Sequence, residues 1–136
     1  MAGAGIAQEP PSGGRLNQAI ANAVVRVYRA HVGRGPNKAQ AFYRGNIVVV
    51  VLQEPFTIAE RSLVDAGRQA AVRQLRQEFV SVMRDALADA VAATTGCRVE
   101  AVMSDVHMDP DVSVEVFVLD RPVPGQELAP GPGIPG

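Results

Sequence analysis

The amino-acid sequence predicts an α+β two-layer sandwich, an antiparallel four-stranded sheet with helices on one face, in the order αββααββ. Three observations carry this. Apolar residues recur at spacings of three and four over 16–32 and again over 57–94. Two β-branched runs after each helical stretch are close enough to form hairpins. The one two-residue hairpin signal, Gly45-Asn46, sits between the first pair.

The first helix is expected from Leu16 to Val32, with Leu16, Ile20, Ala23, Val24, Val27 and His31 as its apolar stripe. Gly33 supplies a left-handed terminus and Pro36 stops the helix resuming. Strands follow over 39–44 and 47–53. The second is apolar on both parities, which predicts that both its faces are covered, one by helices and the other by a partner subunit. Thr57 and Glu60 have the spacing of a capping box. A single helix from there to Thr94 would place Arg61 and Arg68 on the stripe of Ala71, Val72, Leu75, Phe79, Val82, Met83, Ala86, Leu87 and Ala90. Unpaired arginines on a core face are costly, so a break is expected near Ala66-Gly67. The long second main helix spans roughly 40 Å, more than its own sheet can cover, and its apolar overhang invites a homodimer. Gly96 ends it. Two more strands, over 97–106 and 112–119, close the fold around a turn at 108–111.

Residues 1–14 and 121–136 are rich in Pro and Gly and lack a periodic apolar face. They are expected to be a disordered leader and tail around a single domain over 15–120. With 136 residues, 47% apolar and 20% charged, the chain can build one core. A net charge of -1 excludes a uniformly basic nucleic-acid binder, and one cysteine excludes a disulfide framework. No apolar run approaches a membrane span. Residues 1–50 carry six basic and one acidic side chain, and residues 51–136 carry seven basic and thirteen acidic. That polarity would direct face-specific docking if it persisted in space, but the fold is expected to interleave the halves and cancel it.

Chemistry-bearing motifs are few. Gly33-Arg34-Gly35-Pro36 reads either as a small anion pocket or as a helix terminus and tight turn, and its place after a helix favours the turn. Asp105, His107, Asp109 and Asp111 cluster in seven residues, where an acidic hairpin tip is favoured over a metal site. Arg34, Lys38 and Arg44 around Phe42 and Tyr43 make a basic, aromatic stretch, too little to carry a nucleic-acid assignment at this net charge. No nucleophile, base and oxyanion donors form a set, so no catalysis, metal or cofactor is expected.

The ordered series GRGP at 33–36, VVVVL at 48–52, TxxE at 57–60, Gly67, Arg76, TG at 95–96, SD at 104–105 and VFVL at 116–119 resembles the MpsC-like family over roughly residues 16–120. That family takes its name from a bacterial sodium-translocating, membrane-potential-generating system. The resemblance implies a non-catalytic accessory or regulatory subunit of an ion- or bicarbonate-translocating system, acting from the cytoplasmic side on an integral membrane partner. The family's motif positions here include Gly33, Arg34, Gly35, Pro36, Thr57, Glu60, Arg76 and Asp105. Of these, Arg34, Gly35, Arg76 and Asp105 are the candidate ligand or partner contacts. The alternative function is a binding module for nucleic acid or a small anionic ligand.

Overall fold

The computed structural model describes residues 14–125. The expected leader and tail fall outside them, apart from Gly14 and residues 121–125. Within this range the order is αββααββ: α1 (Gly14–Val32), β1 (Lys38–Arg44), β2 (Ile47–Gln53), α2 (Ile58–Asp65), α3 (Gln69–Thr95), β3 (Val99–His107) and β4 (Val112–Leu119). The four strands form one antiparallel sheet in the order β1-β2-β4-β3, and α1 and α3 pack on one face of it. The predicted fold class therefore holds, long second main helix included. The packed body runs slightly past the expected boundary, since Val123 is buried and its amide bonds to the Gly45 carbonyl.

Local chemistry explains the joints. Gly33 adopts φ 90° after α1, and Gly96 adopts φ 77° after α3, with its amide on the Ala92 carbonyl. Both are left-handed caps that a Cβ would penalise. The Thr57 hydroxyl accepts from the Glu60 amide at 3.0 Å and Glu60 Oε1 accepts from the Thr57 amide at 2.9 Å, completing the expected capping box. The helical stretch breaks at 66–68, as the two arginines required.

Two faces of the sheet follow from its register. Val48, Val50, Leu52, Glu115, Phe117, Val102 and Val106 point under the helices and are buried. With Ile20, Val24, Tyr28, Met83, Leu87 and Val91 most of them form the core. The other face carries three rows across the strands, Arg44–Ile47–Val118–Ala101, Phe42–Val49–Val116–Met103 and Gln40–Val51–Val114–Asp105, and beyond them the pairs Lys38–Gln53 and Val112–His107. Nothing in the chain's described residues covers it, and Phe42 and Met103 are each 52% exposed.

Two stripes are rotated from their expected positions. On α1, Tyr28 turns inward, while His31 is exposed with Nδ1 on the Val27 carbonyl. On α3, the buried row is Val72, Arg76, Val80, Met83, Leu87, Val91 and Thr95. The apolar residues Leu75, Phe79 and Val82 flank that row in the open. The reason is Arg76, which is paired and therefore tolerated inside.

Contrary to expectation, the two halves of the chain do not interleave in the sheet. β1 and β2 lie side by side at one edge of the sheet, and β4 and β3 at the other. The β1 edge carries Lys38 and Arg44, while at the β3 edge Asp105 and Glu100 stand beside Arg73 and Arg98.

Candidate functional site

The most developed polar feature lies where α1 ends, β2 ends and α2 packs on α3. The Arg76 guanidinium is 7% exposed and makes four bonds there. It donates through Nε to Glu60 Oε2 at 3.1 Å and through Nη2 to Glu60 Oε1 at 3.0 Å. Nη1 donates to Asp111 Oδ1 at 2.8 Å, and Nη2 also donates to the Glu54 carbonyl at 3.1 Å. Phe56 lies 5.2 Å from this guanidinium and 4.7 Å from that of Arg61. One side chain of α3 thus ties together the end of β2, the cap of α2 and the β3–β4 turn. The bidentate geometry is what arginine, and not lysine, provides.

A cavity of about 240 Å³ opens beside this hub. Tyr28, Glu54, Arg76 and Met83 line it, together with the apolar side chains of Val32, Leu63, Leu75 and Phe79. Arg34 is exposed at its wall and donates to the Pro55 carbonyl. Below it a second polar chain runs through the core. Tyr28 Oη donates to Glu115 Oε2 at 2.5 Å, and Ser104 Oγ donates to Glu115 Oε1 at 2.6 Å. Glu115 is wholly buried, on the sheet's helix-covered face.

The electrostatics follow from burial and pairing. Burial pushes the Glu115 carboxyl above the usual range, although the Ser104 and Tyr28 hydrogen bonds and the charge of Arg84 oppose it. Burial raises Glu54 as well, against the pull of Arg76. Asp111 is raised by burial despite its bond to Arg76, and its Oδ2 is buried without a partner. For Glu60 burial also works upward, but hydrogen bonds from Arg76 and the Thr57 amide outweigh it and hold the carboxyl low. Burial and the nearby carboxylates Glu115 and Glu54 raise the Tyr28 phenol, keeping it a neutral donor.

The structure brings Arg34 and Arg76 to one cavity and leaves the other two candidates elsewhere. Arg76 is committed to intramolecular bonds, which gives it the structural role the sequence did not reveal. Gly35 sits against α1, where a Cβ would meet Arg29 Nε at 2.9 Å and Val25 Cγ1 at 3.2 Å, so its smallness serves close packing. Asp105 lies on the outer sheet face, 79% exposed and 3.6 Å from Arg73. The acidic run is also split. Asp111 turns in to Arg76, while His107 Nδ1 meets the Pro110 carbonyl. Among the described residues no three acidic, histidine or cysteine side chains converge as a metal-holding group. The basic, aromatic stretch is divided too, since Phe42 and Arg44 face outward and Tyr43 packs against the core.

Sequence reasoning missed Tyr28, Glu54 and Glu115. A signal for Glu115 was present: it shares strand parity with Phe117 and Leu119, the bulkiest pair in β4.

The fold and this site define a class, a two-layer α+β module with a charged cavity on its helical side and an uncovered apolar sheet on the other. No helix among the described residues is long and apolar enough to cross a membrane. A family model described as Na+-translocating membrane potential-generating system (MpsC) matches residues 12–121. The chain belongs to that family. No curated protein and no solved structure matches it.

Proposed function

We propose that the chain is a non-catalytic accessory subunit of a sodium-translocating membrane potential-generating system. In this reading it works from the cytoplasm as a homodimer, through protein–protein contacts. The observation that carries the reading is the pair of apolar surfaces left open on opposite sides of one small domain. Leu75, Phe79 and Val82 are 47%, 37% and 70% exposed beside the cavity, and the outer sheet face is open behind it. Contiguous exposed apolar patches mark interaction sites.

The helical side suits a cytoplasmic loop of the system's membrane-spanning subunit. The fit is apolar, because the charged residues of the cavity wall balance, Glu54 and Glu60 against Arg34 and Arg76. An apolar side chain of the loop enters between Leu63, Leu75 and Phe79, and its backbone meets the Arg34 guanidinium at the wall. The test is co-purification of the full chain with the membrane-spanning subunit in detergent. Co-elution that Arg34→Ala or Val82→Lys abolishes, with the fold intact by circular dichroism, supports the reading. Separate elution from an otherwise intact complex overturns it.

One observation favours a second reading, a small anionic ligand in the cavity: Arg34 stands at a wall whose floor is polar. A rise in melting temperature with phosphate or a dicarboxylate, lost in Arg34→Ala, selects that reading instead.

A further inference from the structure

We propose that two copies of this chain pack outer sheet face against outer sheet face, about a twofold axis parallel to the strands. The β1 edge of each copy, with Lys38 and Arg44, then lies over the β3 edge of the other, with Asp105 and Glu100. The inference rests on the homodimer reading and supplies its interface and symmetry.

The face itself is of a size to need a cover. Four strands about 4.8 Å apart and about seven residues long at 3.4 Å each make a face of about 450 Å² in projection. Two copies together reach about 900 Å² in projection before side-chain relief is added, close to the roughly 1,000 Å² that a specific interface needs. Valines fill its centre, and the strands that carry them also bury their opposite parity under the helices. Face-to-face packing of two such sheets at about 10 Å is the ordinary way to cover them.

Charge chooses the occupant and the axis. A closed symmetric pair of this kind can have its twofold across the strands or along them. Across the strands, β1 lies over β1, and Lys38 of one copy falls over Arg44 of the other. Like charges would meet in a desolvated seam. Along the strands, β1 lies over β3. Lys38 then falls over His107 and one row, about 7 Å, from Asp105 of the second copy, a carboxylate that also lies 3.6 Å from Arg73 of its own chain. Arg44 falls beside the Glu100–Ala101 irregularity of β3, where Glu100 is exposed. In the middle row Phe42 lies over Met103, a sulfur–aromatic contact between the two most exposed apolar side chains of the face. Complementary edges on one face are what a chain docking with itself requires. The sheet order sets Lys38 and Arg44 on one edge strand and Asp105 and Glu100 on the other.

Sedimentation equilibrium of the full chain at micromolar concentration is expected to give the mass of two copies. Met103→Arg, at a position open enough to keep the fold, is expected to raise Kd at least about 100-fold with the circular dichroism spectrum unchanged. Lys38→Glu and Asp105→Lys are each expected to raise Kd about tenfold at low salt, and the double variant to restore it to within about threefold. A single-copy mass for the unaltered chain overturns the proposal. So does a dimer that Met103→Arg leaves intact, or one that Lys38→Glu tightens, which would place the axis across the strands. These measurements use the isolated chain, so loss of binding to the membrane subunit, with the dimer intact, counts against the accessory reading alone.

Discussion

Arg76 and Arg34 stand at the same cavity and have opposite roles, and substitution separates them. Removing the Arg76 guanidinium leaves Glu60 and Asp111 facing each other in a buried setting with no cation between them. Breaking one partner of such a set typically costs about 3–5 kcal/mol. Arg76→Met is therefore expected to lower unfolding free energy by about 3 kcal/mol or more in urea titration. Arg34→Ala loses one exposed bond to the Pro55 carbonyl and is expected to change stability by less than about 1 kcal/mol while removing partner binding. What was legible at this scale was local. The Thr57–Glu60 box and the Gly33 cap need only neighbours in the chain, and both stand as read. The role of Arg76 was hidden because Asp111 lies 35 residues away and Glu60 already had a job as a cap.

At the scale of the element, α3 shows why periodicity alone misplaces a helix face. Its apolar residues form a band wide enough to admit two neighbouring rows. A reading that excludes arginine selects the row of Leu75, Phe79 and Val82. The fold selects the row one position on, because Arg76 arrives with its partners. The same ambiguity affects β4. Alternation separates Val112, Val114, Val116 and Val118 from Ser113, Glu115, Phe117 and Leu119, but parity does not say which set the helices cover. The rotation has a measurable consequence. Met83→Ala opens a cavity in the core and is expected to cost about 2–5 kcal/mol. Val82→Lys, one residue away and 70% exposed, is expected to stay within about 0.5 kcal/mol of the parent in the same titration while losing the docking partner.

At the scale of the whole molecule, the buried carboxyls give the fold a pH dependence whose sign follows from their directions. Glu54, Asp111 and Glu115 have carboxyls raised in the folded state, so the folded chain holds their protons more tightly than the unfolded chain. Their contribution to stability is complete below the ordinary carboxylate range and is lost as pH rises through their raised values. Glu60 is depressed, so its contribution is complete above that range and is lost as pH falls through its own lower value. Three groups against one predict that melting temperature rises as pH is lowered through the raised values of these carboxyls, then turns down at more acid pH as the Glu60–Arg76 pair is protonated. The raised Tyr28 phenol adds a loss of stability at the alkaline end, above the ordinary tyrosine range. A calorimetric series across pH checks the whole profile. Glu115→Gln keeps one acceptor oxygen for the Tyr28 and Ser104 hydroxyls and is expected to flatten the slope above the ordinary carboxylate range. Glu60→Gln is expected to soften the acid limb instead. A parent melting temperature that falls steadily as pH is lowered toward the ordinary carboxylate range would mean that these carboxyls are ionised and paired in the fold, and that the polar chain from Tyr28 to Ser104 is held by charge instead of by neutral hydrogen bonds.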